Sequence, residues 1–170
     1  MEKYDYIICG GGASGLLLSN AFIKDEFFND KKILIIERES KTLNDKTFSF
    51  WDNQSNVLDR IVFKSWEKAE FKDSEFSSSF NLSPYKYKMV RSDRFYSYMR
   101  KKIDRASNFN YLNATVIDID KDSNQNNVKT DHGDFLCTVV FSSIYEPKKY
   151  DFKKYPLLNQ HFLGWTIETE

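Results

Sequence analysis

Glycine is scarce in this chain, six residues in 170, yet four of the six fall between Gly10 and Gly15. Cysteine is scarcer. Cys9 and Cys137 stand far apart in apolar surroundings, with neither metal-site spacing nor the density of a disulfide framework, and read as reduced, buried thiols. Charge of one sign is also missing: 25 Lys and Arg balance 25 Asp and Glu, so no net field draws the whole chain to nucleic acid or to an anionic membrane. No apolar run is long enough for a transmembrane span, and the opening MEKYDYIIC has acidic residues and too short an apolar stretch for a signal peptide. The expected location is the cytoplasm. Repeats and low-complexity tracts are absent as well. What is present is 41% hydrophobic and 16% aromatic residues, ample for the core of one domain.

The glycines have a context. Tyr6 to Cys9 is a short apolar run that stops at a glycine, as a fully buried parallel strand does. From Gly12 to about Phe27 the apolar residues Leu16, Leu17, Ala21, Phe22 and Phe27 recur at helical spacing. Lys32 to Glu37, KILIIE, is a second buried strand ending on an acid. Between strand and helix, Gly10, Gly12 and Gly15 spell G-x-G-x-x-G. Such a loop turns tightly, lets the backbone approach a pyrophosphate and packs helix against strand. The candidate cofactor-binding residues are therefore Gly10, Gly11, Gly12, Ala13, Ser14 and Gly15, which would offer free N–H groups to a pyrophosphate at the helix N-terminus. Glu37 is the expected acceptor for a ribose 2′-hydroxyl and would repel a 2′-phosphate, which favours FAD or NAD over NADP. The spacing does not separate FAD from NAD.

Downstream, Ser40 to Asn56 reads as a loop, and the alternating stretches Ile61 to Phe71 and Tyr85 to Val90 suggest antiparallel strands. Ser92 can cap a helix whose buried stripe is Phe95, Met99, Ile103 and Ala106. Thr115 to Asp120 and Phe135 to Phe141 are expected strands, with Asp131 to Asp134 as the turn before the second. The expected fold class is α/β: one Rossmann-type domain over 1–170, with a βαβ opening at 1–38, an inserted antiparallel region at 39–90 and a return to the cofactor domain at 91–170.

Three further stretches carry a resemblance. NDKTFSFW, residues 44–51, resembles the Asn-Asp-Arg-Thr-Trp-Cys-Phe-Trp segment of the lycopene cyclase family of flavoproteins. PYKYKMVRSDRFYSYM, residues 84–99, is similar to that family's strand-then-helix segment with an arginine ahead of a Phe-Tyr pair. QHFLGWTIETE, residues 160–170, resembles its Gln-His-Phe-x-Gly-Trp-x-Ile segment. With the glycine loop these cover essentially the whole chain in the family's order. The chain departs from the pattern at Lys46 and Phe48, where arginine and tryptophan are expected.

The resemblance implies an FAD-binding domain and carotenoid chemistry, the closure of the ψ ends of lycopene into β-ionone rings. It implies reduced FAD as cofactor and NADPH as reductant, with no net electron transfer. Lycopene is then the substrate and nucleic acid is not a partner. Arg91 stands where related flavoprotein folds place an arginine near the FAD phosphates and ribitol, and Val116 is expected to offer its backbone to adenine. The family's acidic catalytic segment lies beyond its Gln-His-Phe motif, so the catalytic acids are expected past residue 170 and the domain is expected to be incomplete, exposing apolar surface when made alone. Glu168, Glu170 and His161 read as structural before catalytic, and His132 as a turn residue. The basic cluster Lys148, Lys149, Lys153 and Lys154 reads first as a solvated face and second as a peripheral contact with the inner membrane face. Two other readings stay open: a different FAD-dependent oxidoreductase or hydroxylase, and a non-catalytic flavin-binding remnant. A Tyr-x-x-x-Lys dehydrogenase pair, Tyr98 with Lys102 or Tyr150 with Lys154, is a weaker rival.

Overall fold

The computed structural model describes residues 1–121, 125–145 and 151–158. The Gln-His-Phe segment with His161, Glu168 and Glu170, together with Lys148, Lys149 and Tyr150, lies outside the described residues. The chain opens with strand β1 (Glu2–Cys9), helix α1 (Ala13–Lys24) and strand β2 (Ile33–Glu37). An antiparallel region follows: β3 (Thr47–Asp52), β4 (Lys64–Trp66), β5 (Lys68–Lys72), β6 (Ser77–Asn81) and β7 (Lys86–Arg91). Helix α2 (Ser92–Ile103) and strands β8 (Phe109–Asn113), β9 (Val116–Lys121), β10 (Asn126–Thr130) and β11 (Gly133–Ser142) complete the described part.

Six strands form one sheet in the order β8-β2-β1-β11-β10-β9. The first four run parallel, and β11, β10 and β9 form an antiparallel meander. The long β11 serves both parts, pairing with β10 through its first residues and with β1 along its length. All five residues of β2 are buried. Ile33 and Ile35 face the helix side with Leu16, Phe22, Phe95 and Met99, while Leu34 and Ile36 face Tyr4, Ile7, Val128 and Cys137 on the other. A strand covered on both faces is apolar along its length, which is why Ile33 to Ile36 show no alternation; the buried Glu37 that ends it has its carboxylate hydrogen-bonded to Gly11 and Glu39 N–H. Both cysteines are buried and free. Burial pushes Cys9 up to about 12 and Cys137 up to about 11, so neither is a ready nucleophile.

The antiparallel insertion is a three-stranded sheet, β3-β7-β4, beside a β5-β6 hairpin. The α/β class with an antiparallel insertion thus stands, with local corrections. Residues 47–52, expected within a loop, form β3, because Phe48 and Phe50 alternate inward against the helix-side core. Helix α1 stops at Lys24, short of Phe27. Asp25 takes extended backbone and accepts the N–H of Phe27 at 3.0 Å, which starts a separate 3₁₀ turn at Glu26–Phe28. Phe27 is exposed, and Phe28 stacks on Phe22 in its place. Strands β6 and β8 lack strong periodicity and were not expected. The expected strand across 61–71 is broken into the 3₁₀ turn Asp59–Ile61, β4 and β5.

Candidate cofactor site

In the sheet order β2 lies on one side of β1 and β11 on the other, so the chain leaves β1 in one direction and returns in the opposite one. A crevice opens beyond the carboxyl ends of strands at such a switch point. Here it is a cavity of about 340 Å³ lined by Gly10 and Gly12 after β1, Ile36 to Glu39 at the end of β2, Ala114 to Val116 between β8 and β9, and Ser143 to Tyr145 after β11. Lys41 and Lys46 close it from the loop after β2.

The glycine loop is shaped from below. Gly10 has φ +112°, open only to glycine without strain, and a Cβ there would also strike Ser143. At Gly15 a Cβ would collide with the backbone carbonyl of Gly10, so α1 can sit this close to β1 only without a side chain. Gly12 differs: nothing lies within 4 Å of its would-be Cβ, and its backbone faces open space. The first hydrogen bond of α1 runs from Leu16 N–H to the Gly12 carbonyl at 3.0 Å. The N–H groups of Ala13, Ser14 and Gly15 precede it and have no helical acceptor. The first turn of α1 carries no acidic residue and its N-cap makes no side-chain bond. Helix α2 is finished differently: Asp93 stands in its first turn, and the Ser92 N–H is shared between the Asn44 side-chain oxygen at 3.1 Å and the Lys46 carbonyl at 3.0 Å. The N-cap of α2, Arg91, likewise makes no side-chain bond, so the difference between the two helix starts is the acid in the first turn of α2 and the acceptors its Ser92 N–H finds.

Glu37 is the opposite wall. Its Oε2 accepts Gly11 N–H at 2.7 Å and its Oε1 accepts Glu39 N–H at 3.0 Å. Each oxygen keeps a further lone pair for a ligand hydroxyl. Lys41 Nζ lies 2.6 Å from Glu39 and 3.9 Å from Glu37. Burial alone would lower the Lys41 ammonium, but the hydrogen bond to Glu39 and the nearby carboxylates hold it above its ordinary value. The same bond lowers Glu39. The wall therefore presents fixed carboxylates beside fixed cations.

Of the expected site residues, Gly10, Gly12, Glu37 and Val116 line this one cavity, Gly11 is hydrogen-bonded to Glu37, and Ala13, Ser14 and Gly15 form the helix start. Arg91 does not line it; its guanidinium lies 3.9 Å from the ring centre of Phe63, immediately before α2. Arg38, Glu39, Lys41 and Ser143 also belong to the cavity and were not foreseen. Ser143 becomes visible only once β11 is known to lie beside β1. Tyr98 and Lys102 are elsewhere: Lys102 Nζ lies over the Tyr98 ring and donates to Asn20 at 2.9 Å, a packing contact between the helices. His132 is exposed beside Asp131. Among the described residues, no group of His, Cys, Asp and Glu could hold a metal ion, and no helix is long and apolar enough to cross a membrane.

A family model described as "Lycopene cyclase protein" matches residues 5–170. The chain belongs to the lycopene cyclase family. No curated protein matches. Among solved structures, the chain resembles p-nitrophenol 4-monooxygenase of Pseudomonas putida DLL-E4, with TM-score 0.64 and 16% identity over 84% of this chain and 41% of that one. It resembles a probable FAD-dependent monooxygenase of Pseudomonas aeruginosa, with TM-score 0.64 and 14% identity over 82% of this chain and 42% of that one. The flavin-dependent brominase Bmp2 gives TM-score 0.64 and 18% identity over 82% and 37%. The α/β fold is thus the one these flavoenzymes share, and the chain spans about two fifths of their length. Within this family member, Lys46 replaces the expected arginine yet lines the cavity, and Phe48 replaces the expected tryptophan yet packs edge-on against Phe95 at 5.2 Å.

Proposed function

We propose that the cavity holds FAD and that the chain is the cofactor-binding part of a lycopene β-cyclase. The observation that carries this reading is the unfilled start of α1, facing across the cavity to Glu37, in a chain of the lycopene cyclase family. The residues present fit the group. Open space over Gly12 admits a pyrophosphate to the N–H groups of Ala13, Ser14 and Gly15, Glu37 accepts ribose hydroxyls, and Val116 borders the space for the adenine. Arg91, over the Phe63 ring just before α2 and outside the cavity lining, would reach the cofactor only where it extends past the cavity.

When bound and kept reduced by NADPH, the flavin supplies negative charge beside a cationic substrate. The chain's own part is to bind and orient it. In the overall reaction an acid protonates a terminal double bond of lycopene, the ring closes and a proton leaves, so the formula is unchanged. The work takes place at the cytoplasmic face of the inner membrane, where exposed lysines such as Lys153 and Lys154 meet the lipid surface that holds the polyene.

The test is to run the enzyme containing this chain with lycopene and reduced FAD in deuterated water. Cyclisation incorporates about one deuterium per ring and consumes no stoichiometric nicotinamide, as general-acid protonation requires. An oxygenated product with nicotinamide consumed one for one would assign the chain to a hydroxylase instead.

A further inference from the structure

Among the described residues three cations line the cofactor cavity, and only one of them is built into its wall. Arg38 stands out in solvent, its side chain 70% exposed, and Lys46 is exposed as well. The Lys41 side chain is only 11% exposed, and a lysine is almost never buried unless it is paired. Its backbone is held at φ +53°, a conformation that glycine or asparagine takes more readily than a residue with a long side chain. A strained backbone that brings a buried charge to a cavity points to a use for that charge.

The ammonium is fixed from two sides. Its Nζ lies 2.6 Å from Glu39 Oε2 and over the Tyr96 ring, 5.6 Å from the ring centre. It does not bond to Glu37: the distance to Oε1 is 3.9 Å, beyond hydrogen-bond reach. A hydroxyl oxygen fills such a gap, since it can donate to a carboxylate and accept from an ammonium at about 2.8 Å each. A phosphate does not suit the same corner. Glu37 and Glu39 stand there against one buried ammonium, and the Arg38 that lies 3.5 Å from Glu39 is exposed.

Resting on the reading that the cavity holds FAD, we propose that Lys41 is a specificity-determining residue of the site. With Glu37 it holds the ribose 2′-hydroxyl of the adenosine half, Glu37 accepting the hydrogen bond that the hydroxyl donates and Lys41 donating to its oxygen. A hydroxyl is both donor and acceptor, and a carboxylate alone uses only the first capacity. Each of the two bonds has a charged partner and is stronger than a neutral one. A ligand without the hydroxyl leaves the carboxylate and the ammonium facing a gap that neither closes, which a site built this way penalises heavily. The sugar is thereby read as ribose independently of the phosphates at the α1 start.

The experiment titrates FAD into the enzyme containing this chain, read by flavin fluorescence, and displaces it with ADP and with 2′-deoxy-ADP. The wild-type enzyme is expected to bind ADP about thirtyfold more tightly than 2′-deoxy-ADP. Lys41→Met keeps the apolar stem and removes the charge, so it should lower that ratio roughly tenfold while Glu37 still accepts the hydroxyl. Lys41→Arg keeps a charged donor and should hold the ratio above that of the methionine variant. Should circular dichroism show that the methionine variant does not fold, Lys41→Gln reads the same ratio. A folded, uncharged variant that keeps the wild-type ratio, or that loses ADP and 2′-deoxy-ADP equally, overturns the proposal and leaves the FAD reading intact. So does a wild-type enzyme that binds FAD and does not distinguish the two competitors. Wild-type enzyme that does not bind FAD overturns both.

Discussion

A methyl group at Gly15 would collide with the carbonyl of Gly10, and neither backbone can yield without separating α1 from β1. Gly15→Ala is therefore expected to destabilise the chain by about 3 kcal/mol, read as a lowered melting temperature. Glu37→Gln keeps the shape and the acceptor for Gly11 N–H but turns its NH2 toward Glu39 N–H, so it should cost about 1 kcal/mol of stability, read as a slightly lowered melting temperature, while FAD affinity falls roughly tenfold, since a carboxylate is the stronger acceptor for a ribose hydroxyl. Equal FAD affinity in the two proteins would remove Glu37 from the site. Both residues were legible in the sequence because their roles follow from spacing: three glycines at fixed intervals and an acid closing the next strand. Arg38, Lys41 and Ser143 were not, because what brings them to the cavity is the meeting of chain segments far apart in sequence. Lys41 is held with φ +53°, a left-handed conformation that a lysine in the sequence does not announce.

At the scale of the elements, the insertion is fastened by Lys88 on β7. Its ammonium lies 2.9 Å from Asp52 at the end of β3 and 2.6 Å from Asp59 in the following 3₁₀ turn. The hydrogen bonds to Asp59 and Asp52 raise Lys88 above 10.5, and the bond to Lys88 lowers each carboxylate below 3.8. A carboxylate lowered in the folded state stabilises above its unfolded value and stops doing so as pH falls through the folded one. A raised lysine stabilises below its unfolded value and stops as pH rises through the folded one. The contribution is thus complete between 3.8 and 10.5 and fades outside. Lys88→Met leaves two carboxylates facing each other, so its melting temperature should fall at neutral pH and lose less than wild type on acidification. Parallel pH profiles for the two proteins would show that the cluster does not fasten the insertion. The strong elements here were readable from periodicity, as α2 was from Phe95, Met99 and Ile103. The weak ones were not: β6 is SSSFN, whose strand state comes from pairing with β5 and not from its own preferences.

At the scale of the whole molecule, the site exists only because the sheet closes in the order β8-β2-β1-β11, which sets the ends of four strands around one helix start. The opening βαβ unit foretold half of that cavity; the other half arrives with the return of the chain to β1 through β11. The fold is the one seen in flavin monooxygenases, whereas the family points to cyclisation, and a fold supports many chemistries. What all these readings share is FAD on the α1 start. The decisive measurement is a fluorescence titration of FAD with the enzyme containing this chain and with its Gly12→Val variant, paired with circular dichroism. Because the space over Gly12 is open, the variant should keep wild-type secondary structure and melting temperature while its side chain occupies the pyrophosphate's place, weakening FAD by at least about tenfold. Wild-type enzyme that shows no saturable FAD binding, or a folded Gly12→Val variant that binds as tightly, would contradict the account.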